Sequence, residues 1–101
     1  MAIAEITIIP IGTGSTSVSE YVAHIEKVLA KQEGVSHELT SMSTIIEGPI
    51  DRLFEVIQIL HEVPFEQGAG RVSTSVKIDD RRDKPSSRAQ KLQSVAEKMN
   101  S

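Results

Sequence analysis

The most constraining feature of this sequence is an apolar run near its start, Ala2 to Ile11, which a turn of glycines and hydroxyl residues, Gly12 to Ser17, follows directly. Isoleucines dominate the run, and β-branched side chains favour strands. A run this apolar is typical of a strand with neighbours on both sides rather than one at a wet sheet edge. We therefore expect an interior strand, for which the rest of the chain supplies both neighbours.

Length and composition predict a single soluble domain that spans residues 1–101. Hydrophobic residues make up 39% of the chain and charged residues 25%, which suits a folded domain with one core. The apolar runs are too short to cross a bilayer, and the start has no basic segment typical of a signal peptide. The chain has no cysteine, which excludes disulfides and thiolate metal sites and fits a reducing compartment. We expect a cytoplasmic protein that does not bind membranes.

The charge pattern argues against a nucleic-acid partner. Net charge is -3, and acidic and basic residues are interspersed. One tyrosine and two phenylalanines are the only aromatic residues, so neither a basic stripe nor a stacking platform for bases is expected.

Periodicity and capping signals predict the remaining elements. The pattern Ser17-Val18-Ser19-Glu20 is a capping box that predicts a helix start near Ser17, and Gly34 is expected to end that helix as a left-handed cap. Further along, we predict strands over Val35–Met42 and Thr44–Glu47, a helix over Ile50–Glu62 that Pro64 closes, a strand over Arg71–Asp79, a solvated turn over Asp79–Lys84, and a last helix that the capping box Ser87–Gln90 opens.

This order of elements predicts an α+β fold. The sequence β-α-β-β-α-β with an added C-terminal helix is the ferredoxin-like split βαβ pattern, a four-stranded antiparallel sheet covered by helices. A right-handed first crossover places the first strand between the third and the last strand. The apolar first strand is then interior, as its composition requires.

The second helix is predicted to be apolar over more than half of its circumference. We expect Ile50, Leu53, Phe54, Ile57 and Leu60 to form its core stripe, whereas Val56, Ile59 and Val63 form a second stripe. We expect the C-terminal segment or another subunit to cover that second stripe.

Strict alternation sorts the sheet residues onto two faces. The helices should cover Ile6, Ile8, Val72, Val76 and Ile78, and the opposite face should carry Glu5, Thr7, Ile9, Ser73, Ser75 and Lys77, with Glu47 from the third strand. Ile3, Ile9 and Ile11 make this second face too aliphatic for water. We therefore predict a homodimer or homotetramer in which sheets pack face to face, with Lys77 paired to Glu5 or Glu47.

The other local signals are weak evidence for a chemical site. The segment Gly12 to Ser17 opens a helix and is an alternative anion or phosphate-ester site, but an ordinary turn is favoured because it matches neither the dinucleotide fingerprint nor a P-loop. His61 is expected to be a core histidine bonded to a neighbouring carbonyl or carboxylate, and His24 and His37 lack metal-ligand spacing. No local signature links a nucleophile to a base. We predict no metal site, no catalytic residue and no enzyme activity.

The strand pair Glu38 to Gly48 is the remaining signal. Its hydroxyls, thioether and carboxylates could line a pocket for a small, flat, cationic or amide-bearing ligand, or they could be ordinary strand residues. A structural or regulatory homo-oligomer without such a ligand is the alternative.

The chain resembles the YkoF-like thiamine-binding family over nearly its whole length. The resemblance lies in Ile9–Gly14 with Ser19–Val22, in Glu38–Gly48, and in Arg71–Arg81. The threonine and methionine of the hairpin motif flank Ser41 here, where the family has proline. The resemblance implies a ferredoxin-like fold, dimers and tetramers, and binding of thiamine or its pyrimidine moiety without chemical conversion.

Matching motif positions give candidate binding residues under that resemblance. Glu47 or Glu5 would hydrogen-bond the aminopyrimidine and offset the thiazolium charge, Thr40, Ser43 and Thr44 would orient the ring, and Met42 would supply an apolar wall. The full set of candidates is Glu5, Thr7, Thr40, Met42, Ser43, Thr44, Glu47 and Lys77. No cofactor is expected other than thiamine or a related pyrimidine as the ligand.

Overall fold

A computed structural model of the protein describes residues 1–14, 18–84 and 87–100. The elements are β1 (Ala2–Pro10), α1 (Ser19–Ala30), β2 (Ser36–Leu39), β3 (Thr44–Gly48), α2 (Ile50–Glu66), β4 (Val72–Asp80) and α3 (Arg88–Met99). The strands form one antiparallel sheet in the order β2-β3-β1-β4. The predicted α+β architecture with an added C-terminal helix is therefore confirmed.

Strand β1 is the interior strand that its composition predicts. It pairs with β3 from Ala2 to Ile6 and with β4 along its whole length. Directly paired residues share a face, so Ala4 shares the helix-covered face with Ile46 and Ile78, whereas Glu5 shares the opposite face with Ile45 and Lys77. The predicted sorting of the sheet residues is confirmed by this register. We call the face without α1 and α2 the open face.

The core lies between the sheet and the first two helices. It contains small and branched residues of β1 and β3 against leucines and valines of α1 and α2: Ala2, Ala4, Ile6, Ile25, Leu29, Ile46, Leu53, Val56, Leu60 and Val63. Alanines at positions 2 and 4 let α2 approach the sheet closely. None of the helices in the described part of the chain is both long and apolar enough to cross a membrane.

Both ends of α1 differ from the sequence prediction. The helix begins at Ser19 after Val18, whose side chain makes no capping bond, and Ser17 of the expected capping box lies outside the described residues. It ends at Ala30, and the N–H groups of Lys31 and Gln32 cap the carbonyls of Val28 and Leu29. Gly34 does adopt the left-handed conformation (φ 82°), but in the loop after the helix, so its assignment as the cap was wrong.

Helix α2 differs from its prediction in length and in its buried face. Pro64 does not close the helix, which continues to Glu66. Pro64 has no N–H to donate to the carbonyl of Leu60, but it stands only two residues before the helix end, and its ring is fully buried. Val56 and Val63 belong to the core, whereas Phe54 is 57% exposed, so the expected core stripe was rotated by part of a turn.

Helix α3 lies on the open face rather than against α2. Its predicted N-terminal cap is confirmed, because the hydroxyl of Ser87 accepts the N–H of Gln90 at 3.1 Å. Arg88 contacts Glu47 of β3, and Lys91 pairs with Asp79 of β4. The C-terminal segment therefore does not cover the second stripe of α2, contrary to one of the two expectations, because Val56 and Val63 are buried in the core itself and Ile59 stays exposed.

The buried face of α2 yields a stability prediction. Leu53→Ala removes a fully buried side chain and is expected to lower the free energy of unfolding by about 3 kcal/mol. Ile59→Ala, on the exposed side of the same helix, should lower it by less than about 1 kcal/mol. Urea denaturation followed by circular dichroism measures both changes, and equal losses would contradict the assigned core face.

Candidate functional site

The best-formed cavity in the described residues lies between α1, the end of β1 and the β2–β3 hairpin. It encloses about 250 Å³. Apolar side chains form most of its wall, among them Ile6, Ile8, Val22, Ile25 and Leu39, and the hairpin residues 40–44 close one side. An apolar cavity with a few polar groups is the usual form of a small-molecule site.

The hairpin turn is held by the side chain of Thr40. Its hydroxyl oxygen accepts the N–H of Ser43 at 3.0 Å and that of Met42 at 3.3 Å, and the hydroxyl donates to the Ser43 carbonyl at 2.8 Å. The N–H of Thr40 also donates to the Ser43 carbonyl, at 2.8 Å. Thr40 therefore shapes the cavity wall through the turn, a role that the sequence did not indicate.

Glu26 of α1 supplies a carboxylate to the cavity wall. The hydroxyl of Thr44 donates to its Oε2 at 3.5 Å. Burial raises the pKa of Glu26 above its ordinary value of 4.5, and the positive charge of His37 and the bond from Thr44 oppose that rise. The cavity thus holds a half-buried carboxyl group, and its contacts within the described chain offset only part of its lost hydration.

The structure divides the predicted binding residues between the two faces of the sheet. Thr40, Met42, Ser43 and Thr44 line the cavity. Thr7 borders it as well, although its pairing with Ser75 places its side chain on the open face. Glu5 and Lys77 face each other across β1 and β4 in a shallow groove on the open face, together with Ile3, Ile45, Asp79 and Lys91. One ligand cannot contact both sets of side chains through the sheet.

Glu47 lies on the open face beneath α3 and is only 8% exposed. Its Oε1 accepts the main-chain N–H of Arg88 at 3.3 Å, and its Oε2 lies 3.5 Å from Nε of the same residue. The ion pair of Glu47 is therefore with Arg88, and the expected alternative with Lys77 was wrong. Within the described residues, Nη1 of Arg88 is buried without a hydrogen-bond partner.

Glu26 is the functional candidate that the sequence reasoning missed. The predicted site residues include none from α1, and Glu26 stands next to the charged Lys27, as on the solvated side of a helix. A signal was present, because Glu26 follows Val22 by four residues and precedes Leu29 by three, which puts it at the border of the apolar stripe. Nothing in the sequence indicated that the hairpin would reach that border.

Two other sequence signals have structural outcomes. His61 is half-buried, and its Nδ1 lies 2.6 Å from the hydroxyl of Thr74, so its partner is a hydroxyl group rather than the expected carbonyl or carboxylate. Gly12 and Gly14 have φ angles of 74° and 76°, which glycine adopts readily. Residues 15–17 of the alternative anion site lie outside the described residues.

The turn geometry predicts a stability effect at Thr40. Thr40→Val removes the oxygen that accepts two N–H groups and should lower the free energy of unfolding by about 1 kcal/mol. Thr40→Ser keeps a hydroxyl at this position and should retain most of the wild-type stability. Ser41→Ala in the same turn is the control. Chemical denaturation measures the differences, and equal stability of the valine and serine variants would contradict the role of the hydroxyl.

The raised pKa of Glu26 predicts a pH-dependent effect of Glu26→Gln. The folded chain holds the Glu26 proton to a higher pH than the unfolded chain does, so its ionisation opposes folding above the folded pKa. The glutamine variant should melt at a higher temperature than the wild type at neutral pH. This advantage should vanish below pH 4.5, where Glu26 is protonated in both states.

Thermal melts at both pH values test this expectation. Glu62→Gln, at an exposed position of α2, reports the effect of net charge alone. A glutamine variant of Glu26 that is less stable than the wild type at neutral pH would contradict an uncompensated buried carboxylate.

Comparisons with known proteins agree with the fold and identify the family. The chain is 52% identical to the UPF0045 protein YqgV of Bacillus subtilis over 98 residues, 94% of each chain. It is 44% identical to a UPF0045 protein of Staphylococcus xylosus over 103 residues, 99% of this chain and 96% of that one.

Solved structures share the same architecture. The hypothetical protein MJ1052 of Methanocaldococcus jannaschii matches with a TM-score of 0.83 and 34% identity, over 95% of this chain and 96% of that one. A putative thiamine biosynthesis/salvage protein of Thermotoga maritima, TM0486, matches with a TM-score of 0.76 over 93% and 97% of the two chains, and its 17% identity supports the fold alone. The sequence model of one family, described as thiamine-binding protein, matches residues 4–96. This chain belongs to the thiamine-binding protein family.

Proposed function

We propose that this protein binds thiamine or a thiamine-related pyrimidine in the cavity between α1, β1 and the hairpin, and that it releases the ligand unchanged. The observation that carries the proposal is the half-buried Glu26 carboxyl group in a wall that is mostly apolar. Membership of the thiamine-binding protein family supports the class of ligand.

The chemistry of an aminopyrimidine matches the groups in this wall. Such a ring carries an amino group, which donates hydrogen bonds, next to a ring nitrogen, which accepts them. A carboxyl group with a raised pKa can accept from the amino group and, when protonated, donate to the nitrogen. The hydroxyl residues Ser43 and Thr44 line the hairpin side of the same cavity. Glu26 thus takes the role that the family resemblance implies for Glu47 or Glu5.

Size and polarity of the cavity suit a single flat ring. Small-molecule pockets commonly enclose about 300–1,000 Å³, and this cavity of about 250 Å³ lies just below that range. Ile8 and Leu39 offer flat aliphatic contacts, and Met42, which is exposed at the turn, can fold its thioether over an aromatic ring. The pyrimidine would then lie inside and the thiazolium nearer the opening.

The cationic part of thiamine strengthens the match with Glu26. A positive charge near a half-buried carboxylate stabilises the ionised form and lowers its pKa. Binding of thiamine should therefore release a proton from the fraction of Glu26 that is protonated, which a neutral pyrimidine would not do. This difference separates the two ligand classes experimentally.

The proposal has no catalytic step. Within the cavity wall, the Thr40 hydroxyl is engaged by the turn, and the Thr44 hydroxyl lies 3.5 Å from the Glu26 carboxylate, beyond the ~2.6–3.2 Å that joins a nucleophile to its base. We also propose that the protein works in the cytoplasm. We propose further that it forms a homodimer or homotetramer, because Ile9 and Ile11 are exposed near one end of the sheet.

Titration calorimetry with thiamine tests the ligand and the residue together. Loss of a charged hydrogen bond costs about 1.5–3 kcal/mol, so Glu26→Gln should weaken binding about 10- to 150-fold. Glu20→Gln removes the same charge from an exposed position of the same helix and should leave affinity nearly unchanged.

Titration with 4-amino-2-methylpyrimidine tests recognition of the ring without the thiazolium charge. Repeating both titrations in buffers of different ionisation enthalpy measures how many protons are released on binding. Proton release with thiamine and none with the pyrimidine is expected. Absence of heat with both compounds would contradict the proposed ligand, and unchanged affinity of Glu26→Gln would contradict the proposed site.

A further inference from the structure

Strand β1 continues past the end of its neighbour β3. The two strands are paired only as far as Ile6, opposite Thr44, whereas β1 runs on to Pro10. This last part of β1 has β4 on one side and the hairpin turn, rather than a strand, on the other. The cavity of the proposed site lies at this place, and its wall includes Thr7, Ile8 and Ile9.

Two hydrogen bonds outside the ladders show which way the main-chain groups of β1 point. The N–H of Ile11 donates to the carbonyl of Arg71 at 2.8 Å, so the odd-numbered residues of β1 bond to β4. The N–H of Thr40 donates to the carbonyl of Ser43 at 2.8 Å, so Ser43 bonds towards β2 and the next residue, Thr44, bonds towards β1. Both bonds lead to the same result. The even-numbered residues of β1 turn their N–H and C=O groups towards β3.

Ile8 is an even-numbered residue whose main-chain groups meet no strand. Met42 would stand opposite it if the ladder went on, but the N–H of Met42 donates to Oγ1 of Thr40 at 3.3 Å instead. Among the residues that the structure describes, none bonds to the N–H or C=O of Ile8 on this side. Pro10, the next even-numbered residue, has no N–H, which suits a position without a ladder partner.

An unpaired donor and acceptor beside a mostly apolar cavity are a candidate binding element. Native proteins pair nearly all main-chain groups that are removed from water, and Ile8 is half-buried in the wall. The N–H and C=O of one strand residue point to the same side, as a bonded antiparallel pair uses them. They therefore match a ligand edge that has an acceptor next to a donor. A ring nitrogen beside an amino group is such an edge.

Ile8 and Glu26 reach the cavity from different walls. Glu26 belongs to α1, which covers the sheet, and Ile8 belongs to the sheet itself. An aminopyrimidine has two ring nitrogens, and its amino group has two N–H bonds, which is more than one carboxyl group can satisfy. A carboxyl group can also change from acceptor to donor by protonation, whereas a main-chain pair cannot. The fixed pair at Ile8 therefore decides which way the ring lies.

We propose that the main-chain N–H of Ile8 donates to a ring nitrogen of the bound pyrimidine and that its C=O accepts from the amino group beside that nitrogen. The ring then takes the place that β3 leaves open beyond Thr44. Glu26 meets the second ring nitrogen or the remaining N–H of the amino group. This inference rests on the proposed function and specifies the ligand further, as a ring with an amino group next to a ring nitrogen.

Amide hydrogen exchange followed by NMR tests this contact directly. In the protein without ligand, the Ile8 amide should exchange about tenfold or more faster than the amides of Thr7 and Ile9, which bond to β4. Saturation with thiamine should slow the Ile8 amide by about tenfold or more, because its N–H becomes bonded. The amides of Thr7 and Ile9 are the matched controls and should not change.

Substitution of Ile8 tests the N–H separately from the side chain. Ile8→Pro removes the N–H without breaking a bond to β4, and Pro10 shows that β1 accommodates proline on this side. Its affinity for thiamine, measured by calorimetry, should fall about 3- to 10-fold. Ile8→Val keeps the N–H and a branched side chain and should bind within about twofold of the wild type. If the proline variant does not fold, amide exchange in the wild type decides alone.

The results separate failure of this inference from failure of the proposed function. Heat of binding with thiamine, together with an Ile8 amide that exchanges as fast as before, would overturn the inference and leave the function intact. Absence of heat would overturn both. An Ile8 amide that is already slow without ligand would show that the ladder is closed at this residue, and it would also overturn the inference.

Discussion

Pairing of β1 on both sides determines which side chains of the sheet lie under the helices and which lie on the open face. Its register with β3 and β4 places Ala2, Ala4 and Ile6 under the helices and Ile3, Glu5 and Ile9 on the open face. Because side chains alternate, a shift of one residue would exchange these sets and bury Glu5 in the core. The burial of Ala2 and Ala4 in the core also requires this register, since larger side chains there would hold the helices away from the sheet.

Glu47 of β3 and Glu26 of α1 illustrate how environment separates a well-paired acid from a poorly compensated one. Glu47 is the more buried, and its charge is balanced by two contacts with Arg88. Removal of either partner would leave a buried charge, so the pair serves to anchor α3. Glu26 has a weak bond from Thr44 and the more distant charge of His37, and its pKa is raised. A poorly compensated carboxylate such as that of Glu26 gains the most stabilisation from a bound cation or hydrogen-bond donor.

The sequence predicts the fold well because the pattern of apolar and polar side chains along the long strands is clear. Alternation in β4 and the apolar run of β1 are local signals, and they were sufficient for strand order and faces. The α2 stripe was misassigned because that helix is apolar on several sides, and only its contact with the sheet decides between Phe54 and Val56. The site was predicted in part. The hairpin candidates Thr40 and Met42 to Thr44 do line the cavity, whereas the place of Glu26 in its wall depends on the approach of α1 to the hairpin, a contact 18 residues apart in sequence.

The position of α3 limits how copies of this chain can associate. The helix occupies the end of the open face at Glu47, Ile3 and Asp79, so two open faces cannot stack along their full length without displacing it. Its anchors are unequal, because the Glu47 contact is buried and the Asp79 contact is exposed, and exposed ion pairs contribute little. The first turn of α3 is thus anchored mainly by the buried contact with Glu47. Full stacking of two open faces would have to displace that turn and break this pair.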